Sequence, residues 1–266
     1  MTALRLTPPI LFGGRRAGLL IERNLYVYRR TWMVIFSGFF EPLFYLLGIG
    51  FGLGALIGDV PGPGGQEISY QLFVAPALLA SASMNGAIME STFNVFFKLN
   101  YQKTYDAILS TPMSVGDVAL GEICWALIRG GLYAIGFLVV MIPFGLWVSP
   151  WLILAFPAAL LVGFAFAAVG MAATSFMRTW QDFDLIQLVI LPLFLFSATF
   201  YPIETYPEAL QVIVRLTPLY QGVDLIRSLT VGAISPILLF HVAYLAILGF
   251  AGLFVVSRRL DKLLLT

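Results

Sequence analysis

Four ionisable side chains fall inside long runs of hydrocarbon: Glu41, Glu90, Glu122 and Arg129. An isolated charge near the centre of a bilayer costs roughly 3 kcal/mol on insertion scales, so such groups pair, face water or relay protons. Depth selects the partners. Counted from the cytoplasmic ends of their runs, Glu41 lies nine residues in, Glu90 seven and Arg129 eleven. At 1.5 Å per helical residue these are depths of about 10 to 17 Å, one common level. The favoured reading is a structural ion pair between Arg129 and either Glu90 or Glu41, ahead of a substrate contact or a proton relay. Glu122 sits nearer the inner surface, within reach of headgroup water.

Other chemistry is missing from the sequence. It contains no G-x-x-x-x-G-K-[ST] phosphate loop, no H-E-x-x-H and no cysteine cluster, so no recognisable motif holds ATP or a structural zinc ion. His241, the one histidine, reads as an interfacial polar residue at the outer end of a span, and Cys124, the one cysteine, as packing. A net charge of +1 and a pI near 7.8 carry no signature of nucleic-acid binding. No cofactor or metal is expected on this chain. Pro42 and Pro192 read as helix kinks. Aromatic side chains gather at Phe194, Phe196, Phe200, Tyr201, Tyr206 and Tyr220. They read as an interfacial belt or, alternatively, as a lining or outer gate on which sugar rings or acyl chains slide.

These residues need a membrane-spanning scaffold. Sixty per cent of the 266 residues are hydrophobic and 11% are charged, too much apolar surface for a water-soluble fold. A bilayer core takes about 20 helical residues. Six stretches qualify, near 32 to 57, 70 to 97, 118 to 147, 152 to 177, 185 to 201 and 237 to 257. With both termini inside, twelve lysines and arginines lie on the cytoplasmic side and only Arg215 and Arg227 outside, which sets that orientation. The lead-in does not read as a cleaved signal peptide. Residues 1 to 31 form a cytoplasmic tail. Within it Arg15, Arg16, Glu22, Arg23, Arg29 and Arg30 share one helical arc, and Ala17, Leu20, Ile21, Leu25, Val27 and Tyr28 the other, with Leu19 and Tyr26 as exceptions. This predicts a helix lying flat on the inner leaflet. GDVPGPGGQE, residues 58 to 67, reads as a flexible outer turn. The whole chain, 1 to 266, reads as one transmembrane domain.

Two connecting segments are not simple loops. On the inside, 98 to 117 holds Tyr101, Lys103, Thr104, Tyr105, Asp106, Ile108 and Leu109 before a stop at Thr111-Pro112, which predicts a short amphipathic helix. On the outside, 202 to 236 carries Pro202, Pro207 and Thr217-Pro218, which predicts helices near 207 to 216 and 218 to 231 ending at Gly232. Both are too short to span. They are expected to re-enter the outer leaflet and close over whatever passes between the spans.

The same segments carry a family resemblance. Phe-Ser-x-x-Phe-Tyr-Pro from Phe196, then Leu-Thr-Pro-Leu-Tyr-x-x-Val-Asp-x-Ile-Arg from Leu216, together with TYDAILSTPMSVGDVALGEICWA from Thr104 to Ala126, resemble the permease subunits of type 2 ABC exporters. Within them they are similar to the branch of nodulation lipo-oligosaccharide and antibiotic-resistance exporters. Asp106 stands where that pattern has a glutamate. The resemblance implies an all-α fold of six transmembrane helices with spans one, two and five lining a path. It also implies pairing with a second permease, identical or paralogous, and two copies of a separate ATPase subunit that carries ATP and Mg. The 98 to 117 helix would be the coupling element in a groove of that ATPase. The expected activity is outward transport of an amphiphilic cargo (glycolipid, lipo-oligosaccharide or hydrophobic drug) across the bacterial plasma membrane. Its rivals are a proton-coupled transporter using Glu41, Glu90 and Glu122, and a lipid-modifying membrane enzyme, which lacks a clustered Asp, His or Ser motif.

Overall fold

The computed structural model describes residues 16–29 and 32–264, and Arg15 and Arg30 of the expected tail arc lie outside them. Helix α1 (Ala17–Tyr28) precedes α2 (Trp32–Tyr45), which widens into a π-type stretch, Leu46–Leu53, and ends as α3 (Gly54–Ile57). The buried face of α1 is Ala17, Leu20 and Asn24, at spacings of three and four, while Leu25 and Val27 of the expected apolar arc are exposed. The difference has a local cause. Gly121 lets α1 approach closely on one side only, and a Cβ there would stand 2.8 Å from Leu20 Cβ.

The segment expected to be no more than a turn is an antiparallel hairpin. Strands β1 (Asp59–Pro61) and β2 (Glu67–Ser69) pair Val60 with Ile68. Both side chains are buried against the main core, and this shared apolar face orders the strands around the Gly64-Gly65 bend.

Helix α4 (Tyr70–Met89) continues through a π-type turn, Glu90–Asn94, into α5 (Val95–Asn100). It is the centre of the bundle and buries nearly all of its side chains. A short α6 (Thr104–Leu109) follows, then α7 (Val115–Met141). Next come α8 (Ala155–Thr174), entered through a 3-10 turn at Pro150–Leu154, and α9 (Phe183–Phe196). Helices α10 (Glu208–Leu216), α11 (Pro218–Val231) and α12 (Ile237–Leu264) complete the order.

Five helical stretches among the described residues are long and apolar enough to cross a membrane: Phe40–Ile57, Tyr70–Asn100, Val115–Met141, Pro150–Thr174 and Ile237–Leu264. The remaining expected span, 185 to 201, is helical only as the 14-residue α9. That length rises about 21 Å, short of the ~30 Å hydrocarbon thickness. The helix stops because Ala198 takes a left-handed φ of 53°, which a residue with a Cβ adopts at a cost. Arg227 holds the turn there: Nη2 donates to the Ala198 carbonyl at 2.7 Å and Nε to the Phe73 carbonyl at 3.0 Å, with the guanidinium 3.7 Å above the Phe73 ring.

The helices after this turn follow their punctuation. Thr217 Oγ1 accepts from the Tyr220 N–H at 3.4 Å, Pro218 opens α11, and Gly232 closes it at φ 85°. The Tyr244 hydroxyl donates to the Leu216 carbonyl at 2.7 Å, satisfying the end of α10 from α12.

Candidate functional site

At one end of the bundle, α1, α5, α6 and α7 converge on one buried charge pair. Lys98, the basic residue in the last turn of α5, donates from Nζ to Glu122 Oε1 at 2.9 Å and Oε2 at 2.8 Å, and to Asn24 Oδ1 at 3.2 Å. Asn24 Nδ2 lies 3.4 Å from Glu122 Oε2. Lys98, Glu122 and Asn24 are 6%, 2% and 1% exposed. The ammonium thus spends its three protons on two groups, and neither charge is left bare in a low-dielectric interior. Glu122 therefore does not reach headgroup water; α1 covers it.

Tyr105 of α6 packs into the same place and is fully buried. Burial pushes its hydroxyl well above the usual phenol range, with the Glu122 charge adding to the effect. Of the residues expected to meet a partner, Tyr105 thus faces inward, Thr104, Ile108 and Leu109 are half-buried, and Tyr101, Lys103 and Asp106 are exposed. Tyr101 stacks on Phe97 at 5.2 Å. Lys103 holds a left-handed φ of 51° immediately before α6.

A cap fastens the other end of this base. Ser114 and Asp117 exchange hydrogen bonds at the start of α7: the Ser114 N–H donates to Asp117 Oδ2 at 2.9 Å, and the Asp117 N–H to Ser114 Oγ at 3.2 Å. The Arg16 N–H donates to Asp117 Oδ1 at 3.2 Å, and the Arg16 guanidinium to the Pro112 carbonyl. Helix α1 is therefore stapled to the α6–α7 connection at its N-cap residue, Arg16.

Deeper in the chain, Arg129 Nη1 donates to Glu90 Oε1. The Tyr28 hydroxyl donates to the same oxygen at 2.8 Å, Asn94 Nδ2 to Glu90 Oε2 at 2.6 Å, and Arg129 Nε to the Tyr133 hydroxyl at 2.9 Å. The Tyr28 ring lies 5.1 Å from Trp125. Sequence reasoning placed Glu90, Glu41 and Arg129 at one depth, and Glu90 is the one that meets the guanidinium. It missed Tyr28, Asn94 and Tyr133. The last two stand four residues from Glu90 and Arg129 on the same helices, a signal available in the sequence. Tyr28 and Lys98 reach across long chain separations, and no local pattern points to them.

Glu41 borders a cavity of about 300 Å³ walled by α2, α4, α7 and α9, whose lining also includes Tyr45, Ser81, Asn85, Arg129, Tyr133 and Phe194. The aromatic set divides around it. Phe194 touches Tyr45 at 5.5 Å and Phe200 edge-on at 5.1 Å, and Phe200 is buried, whereas Phe196 and Tyr201 are exposed. Tyr220 lines a separate hollow with Glu204, Asp224 and Arg227. His241 is buried rather than interfacial, with Nδ1 hydrogen-bonded to Gln221 Oε1 and Nε2 3.0 Å from Asp224.

The sequence pattern of the ABC-2 type transporter family matches residues 16–231. The chain is 33% identical over 216 residues to Nodulation protein J of Rhizobium meliloti (strain 1021), covering 80% of each. It is 34% identical over 215 residues to Nodulation protein J of Rhizobium leguminosarum bv. trifolii, 79% of each. It is also 30% identical over 247 residues to the Bradyrhizobium diazoefficiens protein of that name, 90% of this chain and 92% of the relative.

Proposed function

The chain belongs to the ABC-2 type transporter family and is a membrane subunit of an ABC exporter, and from that premise we propose how it works. It is the passive half of a gate, closed and opened by a separate ATPase subunit on the cytoplasmic side. Two permease chains, identical or paralogous, assemble with two ATPase subunits that hold ATP and Mg. Each permease crosses the bacterial inner membrane six times, α9 being a short fifth span completed by the turn at Ser197 to Tyr201. Both termini face the cytoplasm, and α10 and α11 re-enter the outer leaflet.

The observation that carries this reading is the buried base beneath α6. Exposed Tyr101, Lys103 and Asp106 offer a partner a polar grip, while Tyr105 and the Lys98–Glu122–Asn24 cluster root the same helix in α1, α5 and α7. A push on α6 is then delivered to the second and third spans together. The cargo is amphiphilic (a glycolipid, lipo-oligosaccharide or hydrophobic drug), and spans one, two and five line its path.

The proton-coupled alternative is disfavoured by partner geometry. Glu90 and Glu122 are each paired with a cation, Arg129 and Lys98, which gives both carboxylates a structural partner within the fold. Chemical crosslinking from a cysteine placed at Asp106 tests the coupling assignment in the assembled transporter. The expected product joins this chain to the ATPase subunit, with a yield that changes on ATP binding. Labelling of the same cysteine by an impermeant reagent from outside the cell contradicts the assignment.

A further inference from the structure

Helix α9 buries none of its side chains, and a groove of about 880 Å³ runs between it and α8. Phe166, Val169 and Ala173 line the groove from α8 and Leu185, Val189 and Leu193 from α9, at spacings of three and four that keep each set on one helix face. It shares no lining residue with the cavity beside Arg129. Hydrocarbon suits such a space, because apolar walls give water no partners.

One end of the groove is polar, where Arg178, Thr179 and Asp182 line it from the turn between the two helices. Asp182 is already engaged: its Oδ2 accepts from the backbone N–H groups of Arg178 at 2.7 Å and Thr179 at 3.0 Å. The Arg178 side chain is exposed. A second cation reaches the same wall, since the Arg259 guanidinium lies 4.7 Å over the ring of Phe176, itself a groove residue. Arg259 Nε is buried and has no hydrogen-bond partner among the described residues, and a buried donor left so calls for an acceptor. Two cations against one carboxylate leave this end net positive. From Asp182 to Leu193 the groove follows about 16 Å of helix at 1.5 Å per residue, about half of the ~30 Å hydrocarbon thickness. It is therefore one leaflet deep. Trp180, 60% exposed in the same turn, is the type of ring that sits at headgroup level.

We propose that the groove binds an anionic phospholipid of the inner leaflet, with its acyl chains along α8 and α9 and its phosphate at Arg178 and Arg259. Basic pockets between membrane helices on the cytoplasmic side hold anionic headgroups by the same attraction. The lipid supplies the packing that α9 lacks. The choice of leaflet rests on the proposed topology, which puts residues 175 to 182 in the cytoplasm; the chemistry of the site does not.

The test is native mass spectrometry of the full chain released from uncharged polyoxyethylene-ether micelles, comparing bound phosphatidylglycerol with phosphatidylcholine of the same acyl chains. Phosphatidylglycerol should bind about tenfold tighter or more, and Arg178→Gln with Arg259→Gln should bring the two lipids within about twofold. Arg258→Gln removes a neighbouring charge that lies over Phe254 instead and should leave the preference in place. Ala173→Phe fills the groove, keeps both arginines and should weaken the two lipids alike. Comparable thermal melting of the variants separates a lost site from a lost fold, and if Ala173→Phe does not fold the arginine variants carry the test. Equal binding of both lipids by the wild type, or a preference lost just as far in Arg258→Gln, overturns the proposal, the latter assigning the preference to diffuse surface charge. A disulfide between two copies through a cysteine at Val189, with lipid displaced, overturns it in favour of a second permease chain. Labelling of a cysteine at Gln181 by an impermeant reagent from outside the cell, beside an unchanged lipid preference, removes the proposed topology and leaves the lipid site standing.

Discussion

Lys98 and Glu122 neutralise each other where almost no water reaches, so the effect of breaking the pair depends on whether one charge or both are removed. Glu122→Gln or Lys98→Met alone should destabilise the folded chain by about 3–5 kcal/mol, because the surviving charge is left buried. The double variant Lys98→Met with Glu122→Met should recover much of that loss, read by thermal unfolding in detergent. Tyr28→Phe removes one hydroxyl bond to the Glu90 carboxylate and should cost about 1.5–3 kcal/mol, without changing the packing of the ring on Trp125. At this scale the sequence was only partly legible. The cost of intramembrane charge made a pair for Arg129 predictable, but two carboxylates stood at its depth and only tertiary packing chose Glu90. Glu122 was misread as hydrated because the helix that covers it, α1, lies far away in the chain and docks through Gly121.

Helix boundaries were the most legible feature, because proline, glycine and threonine act locally. Thr217-Pro218 and Gly232 delimit α11 as their chemistry predicts, and α6 stops before Thr111-Pro112. The end of α9 was not legible, because no local signal marks a left-handed Ala198 and its support, Arg227, comes from another helix. Arg227→Met should therefore loosen residues 197 to 201, costing about 2–3 kcal/mol through two lost charge-assisted bonds. Faster amide exchange confined to that turn and to the start of α11 is the expected readout. The hairpin from Asp59 to Ser69 was missed for a related reason: glycine and proline density hid the pairing of Val60 with Ile68. Gly121→Val tests the docking of α1. The added methyls have no room against Leu20 and the Ala17 carbonyl, and should cost about 1–3 kcal/mol by overpacking while raising protease access to α1.

Across the whole molecule, α4 supplies a buried centre, while α2 and α9, the latter with no buried side chain, flank the cavity lined by Glu41 and Arg129. On the proposed mechanism the assembly is driven from below: force would enter at α6, pass through the buried Lys98–Glu122 base and reach the spans proposed to line the path. Family membership implies an ABC ATPase partner in the transporter. The decisive measurement is uptake of a labelled amphiphile into inside-out membrane vesicles holding the assembled transporter, with ATP and the proton gradient controlled separately. The account predicts accumulation that requires ATP and survives a proton ionophore; accumulation driven by a proton gradient with ATP absent would contradict it.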